Sequence, residues 1–131
     1  MQLDRPSLLI TDDDRDFRET LRLAFEPRGF RTLVACDGQE ALEIVQSQPV
    51  HLLLLDMHMP RLTGLETIRR VKQYRENLPC ILISAGLDDR LAEEARRDKA
   101  FSALAKPVRY AEVKRTVERA LQITYDWPRR R

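Results

Sequence analysis

Acidic, hydroxyl and amine side chains stand just past the ends of short aliphatic runs at four places in this sequence. They are Asp12, Asp13 and Asp14 after residues 8–10, Asp56 after residues 52–55, Ser84 after residues 81–83, and Lys106 after the weaker run 101–105. Carboxylates held a few ångströms apart repel one another, so they take up protons or bind a cation. Oxygen ligands that leave room for waters and phosphate oxygens favour Mg²⁺, and such an ion beside a lysine and a hydroxyl group suits a phosphoryl group.

Asp56 is the best nucleophile candidate in this set, because it ends the run that looks most buried, residues 52–55. A carboxylate that attacks phosphorus forms an acyl phosphate, which is a known form of covalent catalysis. This chemistry requires that distant parts of the chain meet. The intervening elements must therefore bring the ends of the aliphatic runs together.

Five short aliphatic runs alternate with amphipathic stretches along the chain. The runs are residues 8–10, 32–34, 52–55, 81–83 and 101–105. Their continuous apolar character predicts strands covered on both faces, as in a parallel sheet, and the stretches between them have helical spacing. Five strands alternating with five helices predict a doubly wound α/β fold, in which functional side chains lie at the carboxyl ends of the strands.

Two features of the helical stretches carry specific predictions. Asp37 is placed to cap the second helix, whereas Asp14 either joins the acidic set or caps the first helix. The fourth helix, residues 88–97, has few apolar side chains. We therefore expect it to be the least firmly docked helix.

Composition favours a single globular domain and excludes several functional classes. The chain has 131 residues, of which 23 are basic and 21 are acidic. Three of the basic residues are Arg129–Arg131 at the terminus, so the rest of the chain is close to neutral. We therefore expect no nucleic-acid contact by this domain. The longest aliphatic run, residues 52–55, is too short to span a membrane. Cys36 and Cys80 lack metal or disulfide spacing, which predicts two buried thiols and a cytoplasmic location.

Four motifs together resemble the receiver domain of two-component response regulators, including single-domain CheY-like proteins. The motifs are residues 8–14, residues 53–60 with Gly64, residues 81–85, and Lys106 with Pro107, and the resemblance covers about residues 7–124. It implies a flavodoxin/CheY-like sheet with strand order 2-1-3-4-5. It also implies a receiver domain over residues 1–125, followed by a basic tail or truncated linker over residues 126–131.

The resemblance implies a role for each matching residue. Asp56 would accept a phosphoryl group from a sensor histidine kinase or phosphotransfer protein in a Mg²⁺-dependent reaction. Asp13, Asp56 and the His58 backbone carbonyl would ligate Mg²⁺ directly, and Asp12 would reach it through water. Lys106, Ser84 and the Ala85 amide would contact phosphoryl oxygens, and the Lys106–Pro107 peptide would be cis. The protein would be a signalling domain that catalyses only its own phosphorylation and dephosphorylation, rather than an enzyme acting on other substrates.

Ala103 departs from the family pattern, because receivers commonly have a tyrosine or phenylalanine three residues before the lysine. The resemblance implies that this aromatic ring swings inward on phosphorylation and so passes the signal to the output face. Alanine has no ring and cannot do this. Either the signal passes through residues 84–88 and the fourth helix, or Ala103 merely leaves room for a neighbour. Phe101 could substitute only if the fifth strand slips or bulges, because a two-residue offset keeps the same face.

His58 has two interpretations. Its ring could control the access of the hydrolytic water to the acyl phosphate, or it could be an exposed loop side chain that contributes only its carbonyl. The output is also open. The resemblance implies phosphorylation-dependent binding of a downstream protein to the face formed by helix 4, strand 5 and helix 5, and a phosphorylation-linked homodimer is compatible with it.

Two other functional classes compete with a phosphorylated receiver. A phosphatase with an aspartate nucleophile, of the haloacid dehalogenase type, would need an acid two residues after the nucleophile, where this chain has His58. A degenerate receiver would act as an interaction module without phosphorylation. The complete acidic, hydroxyl and lysine set argues against that alternative, and only Ala103 argues for it.

Overall fold

A computed structural model describes residues 3–128 and contains five strands and five α-helices. The elements in chain order are β1 (Ser7–Thr11), α1 (Arg15–Phe25), a short 3₁₀ helix (Glu26–Arg28), β2 (Arg31–Ala35), α2 (Gly38–Ser47), β3 (Leu52–Asp56), α3 (Gly64–Tyr74), β4 (Cys80–Ser84), α4 (Asp89–Arg97), β5 (Ser102–Ala105) and α5 (Tyr110–Tyr125). The alternation of strands and helices predicted from the sequence is confirmed.

The five strands form one parallel sheet in the order β2-β1-β3-β4-β5, as predicted. Every residue of β1, β3 and β4 is buried, as expected for strands covered on both faces. The edge strand β2 departs from this expectation, because Val34 is 39% exposed. An edge strand has a neighbour on one side only, so helices cover less of it.

Two apolar clusters fill the space on either side of the sheet. One joins the sheet to α1 and α5, and its helical members include Phe25, Val117 and Leu121. The other joins the opposite face to α2, α3 and α4. Ala95 is the one buried residue of α4. This agrees with the prediction that α4 has little apolar area holding it to the sheet.

Short polar side chains set the starts of the helices. Asp14 accepts hydrogen bonds from the amides of Asp16 and Phe17, and Asp37 accepts one from the amide of Glu40, so both act as N-caps. The cap at Asp37 is confirmed, and of the two roles predicted for Asp14 the structure shows the cap.

The prediction of two buried cysteines is right for Cys80 and wrong for Cys36. Cys80 lies inside the sheet, and burial raises the pKa of its thiol to about 12. Cys36 is exposed, because it follows the last residue of the edge strand β2 and precedes the cap of α2. Just past the end of an edge strand, a side chain is not covered by neighbouring strands and helices. Even an apolar residue type is therefore exposed there.

Packing continues beyond the domain end predicted at residue 125. The ring centroids of Trp127 and Phe30 are 5.1 Å apart in an edge-to-face arrangement, and the Trp127 amide donates to the Leu121 carbonyl at 3.3 Å. Of the predicted basic tail, Arg129–Arg131 lie outside the described residues. None of the described helices is long and apolar enough to cross a bilayer.

His51 is expected to make stability depend on pH. Its Nδ1 accepts a hydrogen bond from the Ser7 amide at 2.9 Å, and burial together with the nearby Arg75 charge lowers the pKa of the imidazole. The unfolded chain therefore binds a proton at a higher pH than the folded chain does. This contribution to stability is complete above the unfolded pKa of about 6.5 and is lost as the pH falls through the lower folded pKa.

The measurement is urea unfolding at about pH 7 and about pH 5.5, above the range where most carboxylates titrate. We expect the unfolding free energy of the wild type to fall between the two values, and that of a His51→Asn variant to fall less. Equal losses in both proteins would contradict this prediction.

Candidate functional site

Pairing of β1 with β3 brings the main acidic residues together at the carboxyl edge of the sheet. Thr11 and Leu55 are register partners, so Asp12 and Asp56 follow as neighbours at the ends of the two strands. Carboxylate oxygens of Asp12, Asp13 and Asp56 all lie within 4.8 Å of one another. Three hard oxygen ligands this close suit a small divalent cation such as Mg²⁺.

Burial destabilises the charged forms of these carboxylates unless a positive charge lies nearby. Asp12 and Asp56 are 1% and 6% exposed, whereas Asp13 is open to solvent. Burial raises the pKa of the Asp12 carboxyl, and the charge of Asp56 adds to this, against the opposing effects of the Asp14 amide and Lys106. A bound cation would offset both the desolvation and the repulsion, so the site fits a metal ion.

Lys106 brings a positive charge to the site from the end of the edge strand β5. Its Nζ lies 2.9 Å from Asp12 Oδ2 and 3.2 Å from Asp56 Oδ1, and the Lys106–Pro107 peptide is cis. Burial alone would lower the pKa of this amine, but the hydrogen bond to Asp12 and the charges of Asp12 and Asp56 raise it overall. The lysine is therefore charged at neutral pH, next to the carboxylate that would accept a phosphoryl group.

Ser84 and His58 form the side of the site opposite the acidic pair of β1. The Ser84 hydroxyl is fully buried, accepts a hydrogen bond from the Gly86 amide at 3.2 Å, and lies 3.5 Å from His58 Nε2. Ala85 is exposed at the start of the loop after β4. His58 is exposed, as its second interpretation expects, while its ring lies close enough to Ser84 for the first.

Close packing at the start of α3 fixes the segment that carries Asp56. A Cβ on Gly64 would lie 2.6 Å from the Asp56 carbonyl oxygen, and the Gly64 amide donates to the Met57 carbonyl. Thr63 and Glu66 close a reciprocal capping box at the same point. The absence of a side chain at Gly64 allows helix α3 to begin directly against the end of β3.

Two residues near the site were not predicted from the sequence. Arg18 Nη1 donates to the Asp12 backbone carbonyl in a 2.7 Å hydrogen bond, and the Phe17 ring centroid lies 4.4 Å from Lys106 Nζ. The helical spacing of α1 marks Phe17 as an inward-facing residue. It does not indicate that the ring meets an amine from the other end of the chain.

Ala103 and Phe101 turn to opposite faces of the sheet. Ala103 packs with the apolar cluster on the α4 side of the sheet. Phe101 precedes β5 and packs with the cluster on the side of α1 and α5. The Arg119 guanidinium lies 5.5 Å from the centroid of the Phe101 ring. The expectation that a two-residue offset keeps the same face is therefore wrong here, because Phe101 lies outside the strand. Phe101 does not take the place of the missing aromatic side chain.

The strand order and the acidic pocket with its lysine define the class of CheY-like α/β domains. The family model for the response regulator receiver domain matches residues 8–118. The chain belongs to this family.

Curated relatives agree with this assignment over most of the chain. Sporulation initiation phosphotransferase F of Bacillus subtilis is 32% identical over 116 residues, which are 88% of this chain and 94% of that protein. Regulatory protein AtoC of Escherichia coli is 33% identical over 116 residues, but they form only 25% of AtoC. Response regulator RR06 of Streptococcus pneumoniae is 33% identical over 99 residues, or 43% of its length. The chain thus spans less than half of the last two relatives.

Solved structures show the same fold. The receiver domain of the Francisella response regulator 1452 has a TM-score of 0.86 at 28% identity, covering 91% of this chain and 98% of that one. A CheY-like receiver domain protein from Methanospirillum hungatei has a TM-score of 0.88 at 19% identity, covering 92% and 97%. At that lower identity the similarity concerns the fold alone.

Proposed function

We propose that this chain accepts a phosphoryl group on Asp56 and signals through the resulting change in protein contacts. The observation that carries the proposal is the convergence of three carboxylates and an ammonium, with Lys106 Nζ 3.2 Å from the Asp56 carboxylate. Such a pocket can neutralise the charge of a phosphoryl group beside a nucleophile. The donor would be a phosphohistidine on a sensor histidine kinase or phosphotransfer protein.

In the reaction, an Asp56 carboxylate oxygen forms a bond to phosphorus while the bond from phosphorus to the donor nitrogen breaks. The electron pair of that bond stays on the nitrogen. Because the attacking group is a carboxylate, which has no proton to lose, the step needs no general base. Lys106 pairs with one phosphoryl oxygen, and the Ser84 hydroxyl and Ala85 amide donate to others. Positioning and charge neutralisation by these groups supply the rate.

The acidic residues would hold a magnesium ion, which supplies positive charge that offsets the negative charge of phosphoryl oxygens. Asp13, Asp56 and the backbone carbonyl of His58 are the proposed direct ligands, with Asp12 acting through water. Support comes from the 4.8 Å cluster of carboxylate oxygens and from family membership.

Incubation with acetyl phosphate and Mg²⁺ tests the proposal, with intact mass and acetate release measured together. A receiver gains one labile phosphoryl group per chain and then hydrolyses it slowly. A phosphatase would turn over steadily without accumulating a modified form, and a degenerate receiver would do neither. Either of the last two results would contradict the proposal.

For the output, we propose that the signal passes through residues 84–88 and α4 to the face formed by α4, β5 and α5, where a downstream protein binds. The small side chain of Ala103 and the single buried residue of α4 support this route. Amide chemical shifts with and without a phosphoryl mimic should change along α4. Changes confined to the acidic pocket would contradict the route.

We also propose a cytoplasmic location, which is typical of this family, and a receiver domain over residues 1–125 with residues 126–131 as tail or linker. The family model covers residues 8–118, and the contact of Trp127 with Phe30 joins the start of that tail to the domain. The degenerate receiver remains the second candidate function, favoured by Ala103 alone.

A further inference from the structure

The Phe17 ring lies against the one amine of the phosphoryl site. Lys106 Nζ is 4.4 Å from the centroid of this ring, within the range of a cation–π contact. The same ammonium is 2.9 Å from Asp12 and 3.2 Å from Asp56. Two carboxylates and an aromatic ring therefore meet one charged group.

The ring and the lysine both border a groove. The groove has a volume of about 500 Å³, and Phe17, Lys106, Pro107 and Tyr110 are among the residues that line it. Lys106 is 22% exposed, and its stem has four carbons. Without the ring beside it, this partly exposed ammonium could turn away from the carboxylates towards water.

We propose that Phe17 is a positioning residue, whose ring holds the Lys106 ammonium towards the point where a phosphoryl oxygen would bind. This inference rests on the proposed phosphorylation of Asp56. The ring face attracts a cation but provides no hydrogen-bond acceptor, so the ammonium keeps its donors for oxygens. When a phosphoryl group arrives, Lys106 can exchange a carboxylate for a phosphoryl oxygen while the ring contact persists.

The test compares phosphorylation rates with acetyl phosphate, a donor too small to depend on protein docking. A Phe17→Leu variant should be slowed about 3- to 10-fold, while Phe17→Tyr and Phe17→Trp should stay within about twofold of the wild type. Tyr110→Leu is the matched control, because it removes an aromatic ring from the same groove. The Tyr110 ring contacts the Arg28 guanidinium at 5.9 Å rather than the lysine, so we expect no change of rate.

A pentafluorophenylalanine at position 17 separates electrostatics from packing. This side chain keeps the ring shape but removes the negative potential of its face. We expect it to slow the reaction as much as Phe17→Leu does. In a Lys106→Met background, Phe17→Leu should cause no further loss, because the group that the ring positions is gone.

A readout without activity comes from the Lys106 ε-methylene protons, which lie near the ring and should be shifted upfield by its current. Phe17→Leu should move these resonances back towards ordinary lysine values, and Tyr110→Leu should leave them in place. Unchanged rates in both Phe17→Leu and the fluorinated protein, with a phosphorylated wild type, would overturn the inference while leaving the proposed function intact. A wild type that takes up no phosphoryl group would instead contradict the proposed function.

Discussion

An Asp56→Asn variant is expected to lose phosphoryl uptake from acetyl phosphate by more than about 10³-fold, because a neutral amide replaces the carboxylate that we propose as the nucleophile. The change is nearly isosteric, so the strand β3 and its buried neighbours should keep their packing. Intact mass spectrometry after incubation with Mg²⁺ measures the remaining uptake. Near-wild-type uptake in this variant would mean that another side chain is the acceptor.

Asp14→Asn is the matched control for this prediction. It makes the same chemical change two residues from Asp12, at a side chain that caps α1 and does not belong to the cluster of close carboxylates. Asparagine is as good an N-cap as aspartate. We therefore expect this variant to keep wild-type uptake, and a large loss would show that uptake depends on the general negative charge of this edge.

Replacing Lys106 with methionine should change phosphorylation and metal binding in opposite directions. The rate of phosphoryl uptake should fall by about 10²-fold, because one preorganised positive charge is lost from the transition state. Mg²⁺ affinity should rise by about tenfold, because the ammonium now lies 2.9 Å from Asp12 and 3.2 Å from Asp56 and opposes a second cation there.

Calorimetric titration with Mg²⁺ and the acetyl phosphate assay measure the two effects on one sample. Lys99→Met is the control, because it removes the same charge at a side chain that is 69% exposed and forms a 3.6 Å ion pair with Glu76. We expect it to change neither quantity. A fall in Mg²⁺ affinity in Lys106→Met would indicate that the lysine supports the metal site rather than competing with it.

Much of the fold could be predicted because its signals are local and repeated. Continuous apolar runs mark the strands β1, β3 and β4, since these strands are buried on both faces whatever their exact neighbours are. Capping by Asp37 needs only the residues of its own helix start. The side chains at the strand ends then follow from the parallel arrangement of the strands, which is why Asp12, Asp56 and Lys106 could be grouped before any geometry was known.

The features that escaped prediction depend on where an element stops or on which surfaces meet. Cys36 is exposed because β2 is an edge strand that ends one residue earlier, and the sequence does not mark that edge. Phe101 changes face because β5 begins only at Ser102. The contact between Phe17 and Lys106 joins α1 to the segment after β5, and no local pattern in either segment refers to the other.

We expect Asp56 to become an acyl phosphate in a pocket that needs a divalent cation. Reduction of the phosphorylated protein with borohydride converts such an aspartyl phosphate to homoserine, and peptide mass spectrometry then locates it. We predict homoserine at position 56 when acetyl phosphate is supplied with Mg²⁺, and none when the metal is chelated. Modification at another residue, or equal modification of Asp56 without metal, would contradict the proposed role of Asp56 and its metal.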